Sequence, residues 1–239
     1  MSTHFTRPAA ALLIALVLLT VFAGATLGAT EPSGDSFTSA ERGVTAQAVW
    51  ESCEGPDIDG VIHCSATQLF VFDGRQRSSD IFGRHNGALT YLCVYRNEVA
   101  FDEDRAPIGE PLEEQGCIDD PELAVSRSLE SVTAAAAALV LTRIICTYDP
   151  DTGEPWCEEG SSRTVDVEAA FTGIGDVGSD RWSSRSSSVW DGARCMYSSS
   201  GRGISREATA SMAIDGSSLE SFAYARLSEG KMRFAQKCR

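Results

Sequence analysis

The chain has 239 residues, 20 Lys and Arg against 34 Asp and Glu, a net charge of −14, and 43% hydrophobic residues. That apolar content suffices for a packed core, and the lack of compositional bias after the first thirty positions excludes collagen-like, coiled-coil and multi-span membrane classes. The acidic balance opposes binding to nucleic acid or anionic lipid through bulk charge.

Residues 1–29 read as a secretory signal peptide. Arg7 is the single basic residue, Ala9 to Phe22 form the apolar run, and Ala23-Gly24-Ala25 and Leu27-Gly28-Ala29 offer small residues for cleavage. There is no Arg-Arg pair, so the general secretory route is expected rather than the twin-arginine one. An uncut anchor is the rival reading, because Pro8 to Thr30 carries no charge and ~20 apolar residues span a bilayer. The shortness of the strongly apolar part favours cleavage. No second span follows, since Arg143 interrupts the apolar stretch Val132 to Ile145. The expected product is secreted or held in the cell envelope, with no membrane span once the leader is gone.

All eight cysteines, Cys53, Cys64, Cys93, Cys117, Cys146, Cys157, Cys195 and Cys238, follow the leader. An even number in an oxidising compartment implies four disulfides. No Cys-x-x-Cys occurs, against a redox or zinc-ribbon site. Their spacing exposes an internal repeat. Cys53 and Cys64 enclose as many residues as Cys146 and Cys157, and Gly60 and Gly153 stand at equal distances after the first cysteine of each pair. Val71-Phe72-Asp73-Gly74 answers Ala170-Phe171-Thr172-Gly173, Asn86-Gly87-Ala88 answers Asp191-Gly192-Ala193, and Cys93-Val94-Tyr95 answers Cys195-Met196-Tyr197. Val44-Thr45-Ala46 likewise matches Val132-Thr133-Ala134. The chain therefore reads as two tandem four-cysteine modules, residues 30–127 and 128–239. Bonding within each copy predicts Cys53–Cys64, Cys93–Cys117, Cys146–Cys157 and Cys195–Cys238; a link between the copies through Cys117 is the alternative.

The modules read as all-β, each an antiparallel sandwich or barrel-like unit. Asn-Gly and Asp-Gly between residues of high strand propensity are hairpin signals. They occur at Asp59-Gly60, Asp73-Gly74, Asn86-Gly87, Asp191-Gly192 and Asp215-Gly216. In the second module they predict strands over Arg163–Phe171, Arg181–Trp190, Ala193–Ser200, Ser205–Ile214, Ser217–Leu227 and Lys231–Cys238. The alanine run Ala134 to Ala138 favours helix by propensity. Its repeat partner, Val44 to Trp50, alternates like a strand, so a strand is expected there too.

Catalytic groups are sparse. His63 and His85 are the histidines left after the leader, and both flank turns. No nucleophile elbow, zinc-protease motif, phosphate loop or dinucleotide fingerprint is present. Asp57-Ile58-Asp59-Gly60 and Asp149-Pro150-Asp151-Thr152-Gly153 pair carboxylates before a glycine, which suits either Ca²⁺ or a tight turn; turn chemistry is preferred and no cofactor is expected. The string Arg181 to Trp190, read as a strand, puts Trp182, Ser184, Ser186, Ser188 and Trp190 on one face and Arg181, Arg185 and Val189 on the other. Core packing of both tryptophans is preferred over a sugar-stacking strip. Charge is uneven: Glu98 to Glu122 holds ten acidic residues and one arginine, and Arg181 to Arg206 five arginines and one aspartate. Such stretches suit docking within the chain or head-to-tail self-association, against the plainer reading of two solvated faces.

The expectation is a non-enzymatic binding or structural protein of the cell exterior, its partner a protein or glycan rather than nucleic acid. A secreted hydrolase working through scattered carboxylates is the second reading. An inhibitor-like module presenting the Cys146–Cys157 hairpin, with Asp151 and Trp156, is the third.

Overall fold

Long runs of alternating residues, punctuated by few true turns, fold into strands far longer than the sequence divisions imply. The computed structural model describes residues 36–80, 83–148, 155–190, 193–220 and 222–238. The expected leader and the Asp149–Gly153 loop lie outside these. The strands are β1 (Ser36–Glu54), β2 (Ile62–Asp80), β3 (Gly83–Phe101), β4 (Pro107–Asp119), β5 (Glu122–Val125), β6 (Ser131–Tyr148), β7 (Pro155–Trp190), β8 (Ala193–Ile214), β9 (Ser217–Ser218) and β10 (Phe222–Cys238). Among the described residues there is no α-helix, only a 3₁₀ turn at Arg127–Leu129, and no helix long and apolar enough to cross a membrane.

Every pairing is antiparallel. β1 to β4 pair in chain order, β4 pairs β6, β6 to β8 continue, and β10 pairs both β8 and β1. Eight strands thus close into a ring, with β5 against β6 and β9 against β8. The two halves, residues 30–127 and 128–239, each contribute four strands of the ring to one sheet. They join through a fifteen-pair β10–β1 ladder and a three-pair β4–β6 seam. A single core explains why. One cluster inside the ring takes Ala46, Leu69 and Leu92 from the first half, and Leu141, Val167, Phe171 and Leu227 from the second. Neither half alone would bury its apolar face. An eight-stranded barrel interior is just wide enough to be filled by side chains.

The alanine run is a strand, as its repeat partner predicts. Ala134 and Ala136 face the core, and at Ala138 the chain bulges with φ of 59°, its N–H donating to Asp166 Oδ1 at 2.9 Å. Small residues at these positions leave room for Phe171 and the leucines across the ring.

Three disulfides are in place: Cys53–Cys64 joins β1 to β2, Cys93–Cys117 joins β3 to β4, and Cys146–Cys157 joins β6 to β7. Cys195 is also disulfide-bonded, and the backbone register sets Cys238 directly opposite it; the Cys238 side chain lies outside the described residues. Such bonding is typical of proteins outside the cytosol.

The turn signals divide. Asp59-Gly60 lies in the β1–β2 connection, and Asp215-Gly216, with φ of 51° and 75°, makes the turn after β8. Trp190 and Ala193 pair across the expected Asp191-Gly192 turn, whose own residues lie outside the described ones. Asp73-Gly74 and Asn86-Gly87 are not turns; they sit inside β2 and β3. The six strands expected over Arg163–Cys238 are corrected to three long ones, β7, β8 and β10, plus the two-residue β9. The reason is close packing of backbones at glycine. Gly203, Gly230, Gly43 and Gly74 occupy one register row across four neighbouring strands. A Cβ on Gly43 would come within 2.7 Å of the Gly74 Cα, and one on Gly203 within 2.8 Å of the Gly230 Cα. Glycine here marks a crease where strands approach, not a break.

Candidate functional site: a cationic cleft

Beyond the crease the ring opens. The β3–β4 ladder ends at Tyr91 with Asp119, and the β6–β7 ladder begins at Ser131 with Thr172. From there to the far hairpins six strands continue in the order β3-β2-β1-β10-β8-β7. β3 and β7 are edges in this region, yet residues of both line one cleft of about 1150 Å³.

The register fixes which side chains face the cleft, because directly opposed residues share a face and alternate residues repeat it. Core-facing Ala46 opposes Val71 and Leu227, and Val71 opposes Leu92. Four residues outward along β1, Arg42 opposes Arg75 and Lys231, Lys231 opposes Arg202, and Arg202 opposes Arg181. One inward-facing row therefore carries five cations on five adjacent strands, ending at Ala88 on β3. The next row outward reads Ser183, Ser200, Arg233, Ala40, Arg77 and Asn86. The one after it reads Arg185, Ser198, Ala235, Thr38, Ser79 and Arg84. These rows hold no carboxylate, no aromatic ring and no large apolar side chain.

Cations directly opposed across strands repel, and little here neutralises them. Asp73 and Glu229 occupy the row below, on either side of Val44, and Asp73 already accepts the Thr90 hydroxyl at 3.1 Å. Arg77 Nε donates to Asn86 Oδ1 at 2.8 Å, and deeper in, Arg206 Nε donates to the Gly175 carbonyl at 3.0 Å. Arg42, Arg75, Arg181, Arg202 and Lys231 form no ion pair or side-chain hydrogen bond among the described residues, and the arginines of the outer rows other than Arg77 form none either. All are exposed; Arg77, Arg84, Arg185 and Arg233 line the cleft itself, and the five-cation row lies one row deeper, between those residues and the core. In a chain of net charge −14 this is a concentrated positive field.

The opposite end of the ring is built the other way. Glu114, 11% exposed, receives both Arg163 Nε and Nη2 at 3.0 and 2.9 Å and Arg96 Nη1 at 3.1 Å. The hydrogen bonds from Arg163 dominate in holding its carboxyl below the ordinary range. Within the acidic stretch Glu98 to Glu122, Glu98 and Glu114 pair with Arg96 and Arg163. That stretch lies at the other end of the strands from Arg181 to Arg206, so the two stretches do not meet within the chain.

Trp182 is not core: it faces outward, 42% exposed, over Gly201, because the register turns Arg181 and Arg185 inward. The Trp190 side chain lies outside the described residues, as do those of Asp151 and Trp156. Asp57 Oδ1 accepts the N–H groups of Asp59 and Val61, each at 2.9 Å, and Asp57 Oδ2 lies 3.5 Å from His63 Nε2. The Val61 bond is the main cause of its lowered pKa. That carboxylate is occupied as a turn acceptor, and among the described residues no three His, Cys, Asp or Glu converge as metal ligands. On the outer face Tyr91 stacks between Phe70 and Phe72, with centroids 5.8 and 5.5 Å away, and burial pushes its hydroxyl up to about 12.

Sequence reasoning singled out Arg181 and Arg185 and counted Arg202 within the basic stretch Arg181 to Arg206, but missed Arg42, Arg75, Arg77, Arg84, Lys231 and Arg233. The signal was present as a period of two: Arg75-x-Arg77-x-Ser79, Ser198-x-Ser200-x-Arg202, Lys231-x-Arg233. No protein-family model, no curated protein and no solved structure matches the chain.

Proposed function

We propose that this chain is an exported binding protein, without catalytic activity, whose cleft captures an acidic ligand outside the cell. The row of five opposed cations carries the reading. Like charges held on neighbouring strands destabilise a sheet, and a ligand carrying several anions supplies the counter-charge that the chain omits. The absence of a carboxylate or histidine from the three inward rows favours binding over hydrolysis, since an acid–base pair has no place there. Charge lining a concave wall also raises the local concentration and on-rate of an anion despite the acidic exterior. In this reading the halves descend from one four-strand, four-cysteine unit copied in tandem. The order β1 to β4 and the order β6, β7, β8, β10 support it, with cysteines on the first and second and on the third and fourth strands of each. A signal peptide delivers the product to the oxidising side, where Cys195 bonds Cys238.

Dextran sulfate is the probe. It is expected to raise the melting temperature of the oxidised protein at low salt, and the effect should fade as salt rises. The double variant Arg42→Ser/Lys231→Ser should bind at least tenfold more weakly. A double variant that binds as tightly as the parent removes the cleft from the function.

A further inference from the structure

We infer that the ligand is a linear acidic glycan lying across the strands, along the cationic row; this rests on the anion-binding reading and narrows it. Three features of the cleft select it. First, the five cations stand one per strand, so at ~4.8 Å per strand the row spans about 19 Å, the scale of a short oligosaccharide rather than of a single anion. A single phosphate or sulfate would engage two or three of them and leave the rest repelling. Secondly, both ends of the row are open. It stops at Ala88 on β3 and Arg181 on β7, strands with no outer neighbour in this region among the described residues. A polymer longer than the row can leave on either side, whereas the floor is closed by Val44, Asp73, Glu229 and the core beneath them.

Thirdly, the wall chemistry discriminates among polyanions. Single-stranded nucleic acid is held by cations together with aromatic platforms for its bases; here the rings of Phe37, Trp182 and Tyr197 belong to the outward face by the same register, as does that of Phe234, the one aromatic residue among those lining the cleft. A lipid needs an apolar wall for its chains, and the inward rows offer none. What accompanies the cations is Ser79, Ser183, Ser198, Ser200, Thr38 and Asn86, short neutral donors and acceptors suited to sugar hydroxyls. In a ribbon-like chain with one carboxylate per sugar, charges on one edge meet the five-cation row. Those on the other edge meet Arg77 and Arg233 in the row outside it.

The test uses the oxidised full-length mature protein and β-1,4-linked oligomannuronates of graded length, with calorimetric titration at low salt. Affinity should rise about fivefold with each added sugar, in line with ~1 kcal/mol per cation engaged, and level off near five sugars. Arg181→Ser, which removes the last cation at the β7 edge, should bring the plateau about one sugar earlier. Uncharged β-1,4-linked mannan oligomers of equal length should bind at least a hundredfold more weakly. Affinity that does not depend on length, a plateau that Arg181→Ser leaves in place, or oligothymidylate binding as tightly as an oligomannuronate of equal charge would each overturn the assignment. Binding of inorganic polyphosphate that the Arg42→Ser/Lys231→Ser variant loses, with no binding of oligomannuronates or dextran sulfate, would overturn the glycan while the anion-binding reading stood.

Discussion

Replacing Arg42 by Gln removes the middle cation of the row and should stabilise the fold while weakening its ligand. Arg42 has Arg75 and Lys231 directly opposite, and Arg77 and Arg233 diagonal to it through the Ala40 pairs. Asp73 and Glu229 are diagonal on the other side, through the Val44 pairs. Four like charges against two opposite ones leave two uncompensated repulsions. With the charged heads splayed to ~7 Å in water, each amounts to about 0.6 kcal/mol, so about 1 kcal/mol in all. A Debye length of ~8 Å at physiological ionic strength cuts this by more than half. Arg42→Gln should therefore gain about 1 kcal/mol at low salt, a rise of roughly 2–4 °C in Tm for a chain of this size. The gain should shrink in added NaCl. Urea unfolding of the oxidised protein at two salt concentrations measures both. A variant less stable than the parent at every salt concentration, or a gain that salt does not change, would refute the picture of facing, unneutralised cations.

The remaining predictions concern the frame around the cleft. Glu114→Gln should cost roughly 1.5–3 kcal/mol, the range for hydrogen bonds to charged groups, since it strips the shared acceptor from Arg96 and Arg163. The Glu114 carboxyl is held below its ordinary 4.5, so its contribution is complete above that value and drains away as acidification passes through the lowered pKa. An acid-unfolding profile should show the variant flatter than the parent below pH 4.5. Gly43→Ala drives a methyl into the Asp73 carbonyl and the Gly74 Cα, and should lose about 1–3 kcal/mol or more in urea titration, although its backbone is not in the left-handed region. Non-reducing peptide mapping should recover a Cys195–Cys238 peptide; a cross-link from Cys117 to the second half would contradict the register at both sites.

Strand character was legible because it is local. Alternation in Val44 to Trp50 and the turn chemistry of Asp215-Gly216 act over a few residues. The short cysteine spacings gave the stapled pairs in the same way. Pairing between halves was not legible: ring closure depends on whether Ser36 to Trp50 finds Phe222 to Lys237, some two hundred residues away, rather than a partner in its own half. The glycines misled for a related reason. Gly74, Gly203 and Gly230 read as ends of strands because a lone sequence cannot distinguish a turn from a place where two backbones touch. The cleft was hidden in the same step. Each of β1, β2, β8 and β10 contributes only a few inward cations, unremarkable alone, and only the register stacks Arg42, Arg75, Arg181, Arg202 and Lys231 into one row.

The open seam gives those cations a second task. In the cleft region β3 and β7 have no outer strand beside them among the described residues, and long bare edges invite pairing with another chain. Charged side chains facing inward on an edge strand block this, because a strand added there would bring its own residues beside them. Arg181 and Arg185 occupy that position on β7, and Arg84 on β3. Arg181→Val/Arg185→Val should therefore convert β7 into a pairing-competent edge of high strand propensity. Analytical ultracentrifugation over a concentration series should find the parent monomeric and the variant self-associating, in a manner that added oligomannuronate does not reverse. A variant that remains monomeric at the highest concentrations would mean that the seam is guarded by its curl alone, and that binding is the sole reason for arginine at these two positions.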